Sequence, residues 1–367
     1  MILACDEYQS IMSVIEDKSL ARPVSADEAR PRRAGPVYGG RAVYSAIDLG
    51  TNNCRLLVAK PTRNGFRVID AFSRIVRLGE GLELSGRLSD AAMDRAVGAL
   101  KICAQKIKSR KVTCMRSVAT EACRAAVNCS DFVARVKRET GLNLDVISPA
   151  EEARLAVVGC QSLMDQRYSH ALVFDIGGGS TELIFIEKRT GGQFSILAWT
   201  SVPFGVTTIA ERFDCHSLSS ETYKEMVALI ANHLADFEEL GKLVGYVKRG
   251  KVQLLGTSGT ITTLASVQLG LKRYDRSRID GAWLRAGSVH ALARAVALMP
   301  YEERLAQPCI GEDRVDYVVA GCAILDAILT QWPFTRIRVA DRGIREGVLR
   351  GLMNEGVAFD TGHNRER

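Results

Sequence analysis

One pattern occurs twice in this chain, and it constrains the architecture more than any other feature. The strand-like run Val43-Tyr44-Ser45-Ala46-Ile47 leads into the turn Asp48-Leu49-Gly50-Thr51-Asn52-Asn53, and Cys54-Arg55-Leu56-Leu57-Val58-Ala59 follows as a second strand. Later, Ala171-Leu172-Val173-Phe174 leads into Asp175-Ile176-Gly177-Gly178-Gly179-Ser180-Thr181-Glu182, followed by Leu183-Ile184-Phe185-Ile186. Asp48 and Asp175 stand 127 positions apart, and so do Leu56 and Leu183. Asn64-Gly65 and Gly191-Gly192 are hairpin signals that open third strands at Phe66–Ile75 and Phe194–Thr200. Chance rarely aligns strand, turn and hairpin together, so the chain reads as two duplicated βββαβα units. The expected fold class is α/β, with two duplicated lobes facing each other across a cleft between their Asp-Gly turns.

The segments between these hairpins supply helices and parallel strands. Ser89 is an N-cap for a helix from Asp90 to about Ser109, with Met93, Val97, Leu100 and Ala104 at helical spacing. Val112–Val118 reads as a strand, Thr120–Asn128 turns into a helix, and Asp131 caps another through Glu139, stopped by Gly141. Leu144–Ile147 is a strand, and Ser148-Pro149-Ala150-Glu151-Glu152-Ala153-Arg154 starts a helix through Leu163 that links the halves. The first lobe is expected over 41–168 and the second over 169–352, with the last helix free to pack back on the first. Residues 1–40, rich in Pro, Gly and Arg near 29–36, and the polar residues 353–367 read as tails that cannot build a core. Tyr8–Leu20 is a candidate short helix within the first tail.

With 367 residues there is room for two domains, each with its own core. No apolar stretch reaches the 18 or more residues of a spanning helix, and the N-terminus, with Asp6 and Glu7, lacks a signal-peptide pattern. Ten cysteines form no CxxC pair and five histidines do not cluster with them, which argues against a zinc site and a disulfide framework. Free thiols suit a cytoplasmic location. The net charge of +7 suits an anionic partner. Nothing interleaves aromatic with basic residues, so no specific nucleic-acid recognition is expected, and no membrane partner either. Lys101, Lys106, Lys108, Arg110 and Lys111 form one basic run, and Lys272, Arg273, Arg276 and Arg278 another; such runs are usually solvated faces.

The turns carry the chemistry. Gly50 lets backbone approach a ligand, Thr51, Asn52 and Asn53 add donors, and Arg55 offers a planar fork for phosphate oxygens. A plain Asx-type hairpin turn is the other reading. Gly177, Gly178 and Gly179 cost about 0.5–1 kcal/mol each in backbone entropy, more than a simple hairpin needs, which suggests a backbone wrapped around phosphate. Ser180 and Thr181 add hydroxyls, and Asp175 and Glu182 are hard oxygen ligands suited to Mg²⁺. No Lys follows the glycines, so this is not a Walker A loop. Leu254-Leu255-Gly256-Thr257-Ser258-Gly259-Thr260 reads as strand, turn and helix N-terminus, an anion-receiving geometry or simply a capped helix. Glu151 and Glu152 complement a helix dipole, and a carboxylate there could also deprotonate a water.

Taken together these motifs resemble the exopolyphosphatase and guanosine-pentaphosphate phosphohydrolase family, over about Val43 to Leu352. Ala119-Thr120-Glu121-Ala122-Cys123-Arg124 with Asn128, Glu151-Glu152-Ala153-Arg154, Arg314-Val315-Asp316 and Arg345-Glu346-Gly347 fit it in order. The resemblance implies two actin-like (ribonuclease H-like) lobes with the active site between them. It implies Glu152 as general base and Mg²⁺, or another divalent cation, held by Asp48, Asp175 and Glu182. It implies phosphate binding by Gly50, Thr51, Asn52, Asn53, Arg55, Arg124, Gly177, Gly178, Gly179, Ser180, Thr181, Gly256, Ser258, Gly259, Thr260 and Arg314. The implied substrates are polyphosphate, guanosine pentaphosphate or both, and a homodimer is a further expectation. This chain has Pro149 where the family usually has Gly, and contains no His-Asp dipeptide of a third, helical domain, so it reads as the short two-domain form. The rival readings are a sensor that binds guanosine tetraphosphate or pentaphosphate without turnover, and a small-molecule kinase of the same superfamily.

Overall fold

The computed structural model describes residues 42–63, 65–189, 194–235 and 243–354. The expected tail at 1–40, residues 355–367 of the one expected at 353–367, the 8–20 helix, Asn64 and the Gly191-Gly192 turn lie outside them.

Each half of the chain builds one mixed sheet. The first contains β1 (Tyr44–Leu49), β2 (Asn53–Thr62), β3 (Gly65–Ile75), β4 (Cys114–Ala119) and β5 (Leu144–Val146), in the order β3-β2-β1-β4-β5. The second contains β6 (His170–Ile176), β7 (Thr181–Lys188), β8 (Phe194–Val202), β9 (Val252–Thr257), β10 (Trp283–Arg285) and β11 (Arg336–Ala340), in the order β10-β11-β9-β6-β7-β8. In both, an antiparallel three-strand meander is followed by a parallel neighbour: β1 pairs in parallel with β4, and β6 with β9. The duplication extends to register. Asp48 faces Arg55 across the first hairpin, and Asp175 faces Glu182 across the second. The two halves therefore share one geometry but place opposite charges at the matching cross-strand position.

Helices cover the sheets as the apolar spacing requires. In α1 (Asp90–Ser109) the residues Ala92, Met93, Ala96, Val97, Leu100 and Cys103 are buried, and Ser89 Oγ accepts the Ala92 amide. The helix α2 (Glu121–Ala125) is a short turn after β4, and α3 (Cys129–Thr140) follows it. Its N-cap position is Asn128 rather than Asp131; Asn128 spends its side chain on the backbone of Leu88, accepting its amide at 2.9 Å and donating to its carbonyl at 3.0 Å. Gly141, at φ 74°, ends α3 in the left-handed conformation that glycine adopts most cheaply.

The helix α4 (Pro149–Cys160) lies between the sheets. Its Ala153, Ala156, Val157 and Cys160 pack with Ala171, Val173 and Ile184 of the second sheet, while Leu155 joins a cluster with Ala46 and Leu57 of the first. Beyond β8 come α5 (Val206–Arg212), α6 (Ser220–Ala235), α7 (Gly259–Gln268), α8 (Ala286–Ala297) and α9 (Tyr317–Gln331). The last helix, α10 (Ile344–Asn354), leaves the second sheet and returns to the first, where Ile344, Val348, Leu349 and Leu352 are buried. At about 1.5–3 kcal/mol per fully buried aliphatic side chain, that return is strongly favoured. It runs past the start of the segment read as a tail. Two contacts join the lobes on the other side of the cleft: the Gly81 amide donates to Glu211 at 3.0 Å, and Arg212 pairs with Glu83 at 2.8 Å. Among the described residues no helix is long and apolar enough to cross a membrane.

Candidate active site

The duplicated turns close in the same way. The Gly50 amide donates to the Asn53 carbonyl at 2.9 Å, and the Gly177 amide to the Ser180 carbonyl at 2.9 Å. The amides of Thr51, Asn52, Gly178 and Gly179 inside those turns donate to nothing among the described residues. The turns also meet face to face: a Cβ at Gly178 would lie 2.9 Å from Thr51 Cβ, and one at Gly179 the same distance from Thr51 Oγ1.

Backbone from α5 supports the second turn. Val206 and Thr207 donate their amides to the Gly177 and Gly178 carbonyls at 2.9 and 2.8 Å. A Cβ on Gly205 would fall 2.2 Å from the Gly178 carbonyl oxygen, so only glycine fits. Gly205→Ala is therefore expected to push the turn out of place. It should cost about 1–3 kcal/mol of stability, read in a thermal melt.

Between the turns is a cleft of about 140 Å³. From the first hairpin it is lined by Asp48, Gly50, Thr51, Asn52, Asn53 and Arg55, and from the second by Asp175, Gly177, Gly178, Gly179, Ser180 and Glu182. Ser258, Gly259 and Thr260 enter from the start of α7, Glu152 from α4, and Arg314 from the turn before α9. Asn52 Oδ1 and Ser258 Oγ are buried there without a hydrogen-bond partner among the described residues. Ser258 has a φ of 100°, a strained conformation for a residue with a side chain, and such strain concentrates at functional sites.

Three of the expected phosphate ligands do not line this cleft. Thr181 is fully buried and donates its hydroxyl to the Phe204 carbonyl at 2.6 Å. Gly256 is a packing residue: a Cβ there would lie 2.2 Å from the ring of Phe174, its cross-strand neighbour. Arg124 stands behind the cleft with its donors already engaged. It donates to Glu121 at 2.7 and 3.0 Å, to the Ile147 carbonyl at 2.8 Å, and to Glu152 Oε2 at 2.8 Å. It clamps two carboxylates, Glu121 and Glu152. Four of the nine residues in the basic runs are held in ion pairs: Lys101 with Glu139, Lys106 and Arg110 with Asp70, and Arg276 with Asp341 and Glu346. The cleft adds Thr120, Glu121 and Tyr317, to which no site role was given from sequence. Thr120 and Glu121 belong to the motif Ala119-Thr120-Glu121-Ala122-Cys123-Arg124, and in the structure Glu121 opens the short helix α2.

Acidic groups dominate the floor of the cleft. Burial raises Glu152 well above the ordinary carboxylate range, and the charge of Glu182 adds to the effect, while Arg124 opposes it. Burial, then Glu182, raises Asp175 to about 7. Burial also raises Asp48 and Glu182; Arg55 opposes the first shift, and hydrogen bonds from Ser180 and Ser201 oppose the second. Carboxylates that resist ionisation because they are buried, and beside one another, accept a cation readily. Among the described residues no three His, Cys, Asp or Glu side chains converge into a closed metal cage. The donor set suits a hard ion that takes one or two carboxylates and completes its shell from water and phosphate oxygens.

Residues 57–355 match the model of the Ppx/GppA phosphatase family. A curated Haemophilus influenzae protein described as a candidate exopolyphosphatase is 29% identical over 310 residues, 84% of this chain and 90% of its own. Among solved structures, an exopolyphosphatase from Cytophaga hutchinsonii is 27% identical with a TM-score of 0.74, the match covering 86% of this chain and 99% of that one. The Aquifex aeolicus member of the Ppx/GppA family is 28% identical with a TM-score of 0.70, over the same shares. The two lobes are thus the actin-like lobes of that group.

Proposed function

This chain belongs to the Ppx/GppA phosphatase family, and from that premise we propose that it is a phosphohydrolase removing the terminal phosphate of inorganic polyphosphate, of guanosine pentaphosphate, or of both. One observation carries the reading: two turns with uncommitted amides face each other across a cleft that also holds the Glu152 carboxylate.

Phosphoryl transfer to water needs positioning and charge neutralisation more than covalent help. The amides of Thr51, Asn52, Gly178 and Gly179, with the orphaned Ser258 hydroxyl, bind the phosphate oxygens, and Arg55 and Arg314 neutralise them. Glu152 orients a water and takes its proton as the water attacks the terminal phosphorus. Arg124 is a positioning residue: its bond to Oε2 fixes the carboxylate against helix α4. Asp48, Asp175 and Glu182 are the residues that hold Mg²⁺, which when bound neutralises phosphate oxygens during transfer.

The raised pKa of Glu152 predicts a pH profile. A base works in its ionised form, so kcat/KM falls as pH drops through the pKa. That acid limb is expected above the ordinary carboxylate range rather than near 4.5. Phosphate release from polyphosphate and from guanosine pentaphosphate, measured side by side across pH with Mg²⁺ present and after chelation, tests the whole reading. Tight binding of either substrate with no release would favour a sensor instead, and phosphate transfer from ATP to an acceptor would favour a kinase.

A further inference from the structure

Cys123 and Cys129 are closer in sequence than any other two cysteines of the chain, and their side chains meet. Cys123 lies in α2, buried, and Cys129 opens α3, half-buried. Both pack on the apolar cluster that holds Ala126 and Phe132. The thiols hydrogen-bond to one another. That bond, then burial, raises Cys123 above the ordinary thiol range, so its S–H is the donor, and receiving it brings Cys129 below that range. Cys129 also begins a helix without a side-chain cap, because Asn128 spends its amide on Leu88. A helix N-terminus favours the thiolate over the thiol. A second pair, Cys54 and Cys103, has its sulfurs 4.0 Å apart, but both residues are fully buried. Of the two pairs, the first presents a sulfur to solvent.

The pair adjoins the catalytic clamp. Arg124 follows Cys123 directly, holds Glu152 at 2.8 Å and Glu121 at 2.7 Å, and its charge reaches Cys123. A disulfide needs its sulfurs about 2 Å apart, well inside a thiol–thiol hydrogen bond, so one helix must move. The helix α3 is anchored by the buried Phe132 and Val136 and by Asn128. The helix α2 is five residues long and has no side-chain cap, so it gives way first and carries Arg124 with it.

We propose that Cys123 and Cys129 are a peroxide-sensitive pair whose reversible disulfide slows the site by displacing Arg124. The Cys129 thiolate attacks one oxygen of a hydroperoxide: an S–O bond forms, the O–O bond breaks, and the other oxygen leaves as an alcohol, or as water from hydrogen peroxide. The Cys123 sulfur then attacks the Cys129 sulfur: the S–S bond forms, the S–O bond breaks, and hydroxide leaves with the Cys123 proton as water. The two thiols lose two electrons in all and the peroxide gains them. The effect on rate rests on the hydrolase reading, whereas the bond itself does not.

The test treats the full chain with hydrogen peroxide, alkylates the remaining thiols and maps tryptic peptides by mass, since cleavage after Arg124 separates the two cysteines. Phosphate release is measured before treatment, after it, and after dithiothreitol. The two peptides are expected to be joined with the loss of two hydrogens, and kcat to fall roughly tenfold or more and return with dithiothreitol. Cys129→Ser should keep its activity under peroxide. Cys123→Ala should form no disulfide and hold Cys129 as a sulfenic acid that dimedone traps. Absence of the joined peptides, an unchanged kcat once they are joined, or a Cys129→Ser variant as sensitive as the wild type overturns the proposal and leaves the hydrolase standing. A chain that hydrolyses neither substrate but joins the peptides upholds the pair and sinks the hydrolase.

Discussion

Glu152→Gln is expected to lower kcat by about 10²–10⁴-fold while leaving KM for the phosphorylated substrate within a few-fold of wild type. Glutamine keeps the shape and leaves an oxygen for Arg124 to donate to, so the clamp at 2.8 Å survives in kind. What is lost is the ability to take a proton. The protein should not suffer otherwise. In the wild type this carboxyl is costly to ionise, being buried beside Glu182 and Asp175, and removing its charge relieves that cost. A melt that matches or exceeds the wild type, together with loss of turnover, separates chemistry from unfolding. The residual activity should also lose the acid limb of the pH profile. Turnover near the wild-type value would remove Glu152 from the role of base. Arg124→Ala is the contrasting change: it removes the only opposing positive charge in contact with Glu152 among the described residues, so it should cost stability as well as rate.

Local signals were legible in the sequence, and distant ones were not. The duplicated hairpins could be read because strand, turn and strand are adjacent in the chain, and the 127-residue spacing appears in the structure as matching turn bonds at Gly50 and Gly177. The Ser89 cap and the Gly141 stop are equally local. Residue type alone does not separate a ligand from a packing group. Thr181 and Ser180 are neighbouring hydroxyls, but Thr181 opens β7 with its side chain in the core, while Ser180 ends the turn and lines the cleft. Gly256 is glycine because a phenylalanine ring from the neighbouring strand fills the space of its side chain. Arg124 is consumed by Glu121 and Glu152, and Glu152 lies 28 positions further along the chain. The support that Gly205 gives to Gly178, and the return of α10 to the first sheet, depend on contacts that no window of sequence contains.

Asp175→Asn is expected to abolish most activity and at the same time raise the stability of the protein at alkaline pH. The carboxyl of Asp175 titrates at about 7 in the folded chain against an ordinary value of 3.8, because of burial and then the charges of Glu182 and Asp48. Below pH 3.8 both folded and unfolded chains hold the proton and the group costs nothing. Between 3.8 and about 7 the unfolded chain releases it first, so stability declines as pH rises, and above about 7 the penalty is complete. The shift corresponds to at most about 4 kcal/mol, less for a side chain that faces the water of the cleft. For a chain of this size that upper bound is roughly 5 °C in Tm. Melts of the wild type and variant at pH 8 and pH 4 test the sign: a gain for Asp175→Asn at pH 8 that vanishes at pH 4. Mg²⁺ added at pH 8 should raise the Tm of the wild type and do so less for the variant, since the ion and the substitution relieve the same repulsion. A variant less stable than the wild type at pH 8 would mean that Asp175 is held by bonds rather than strained by its neighbours, and the case for a cation at that carboxylate would go with it.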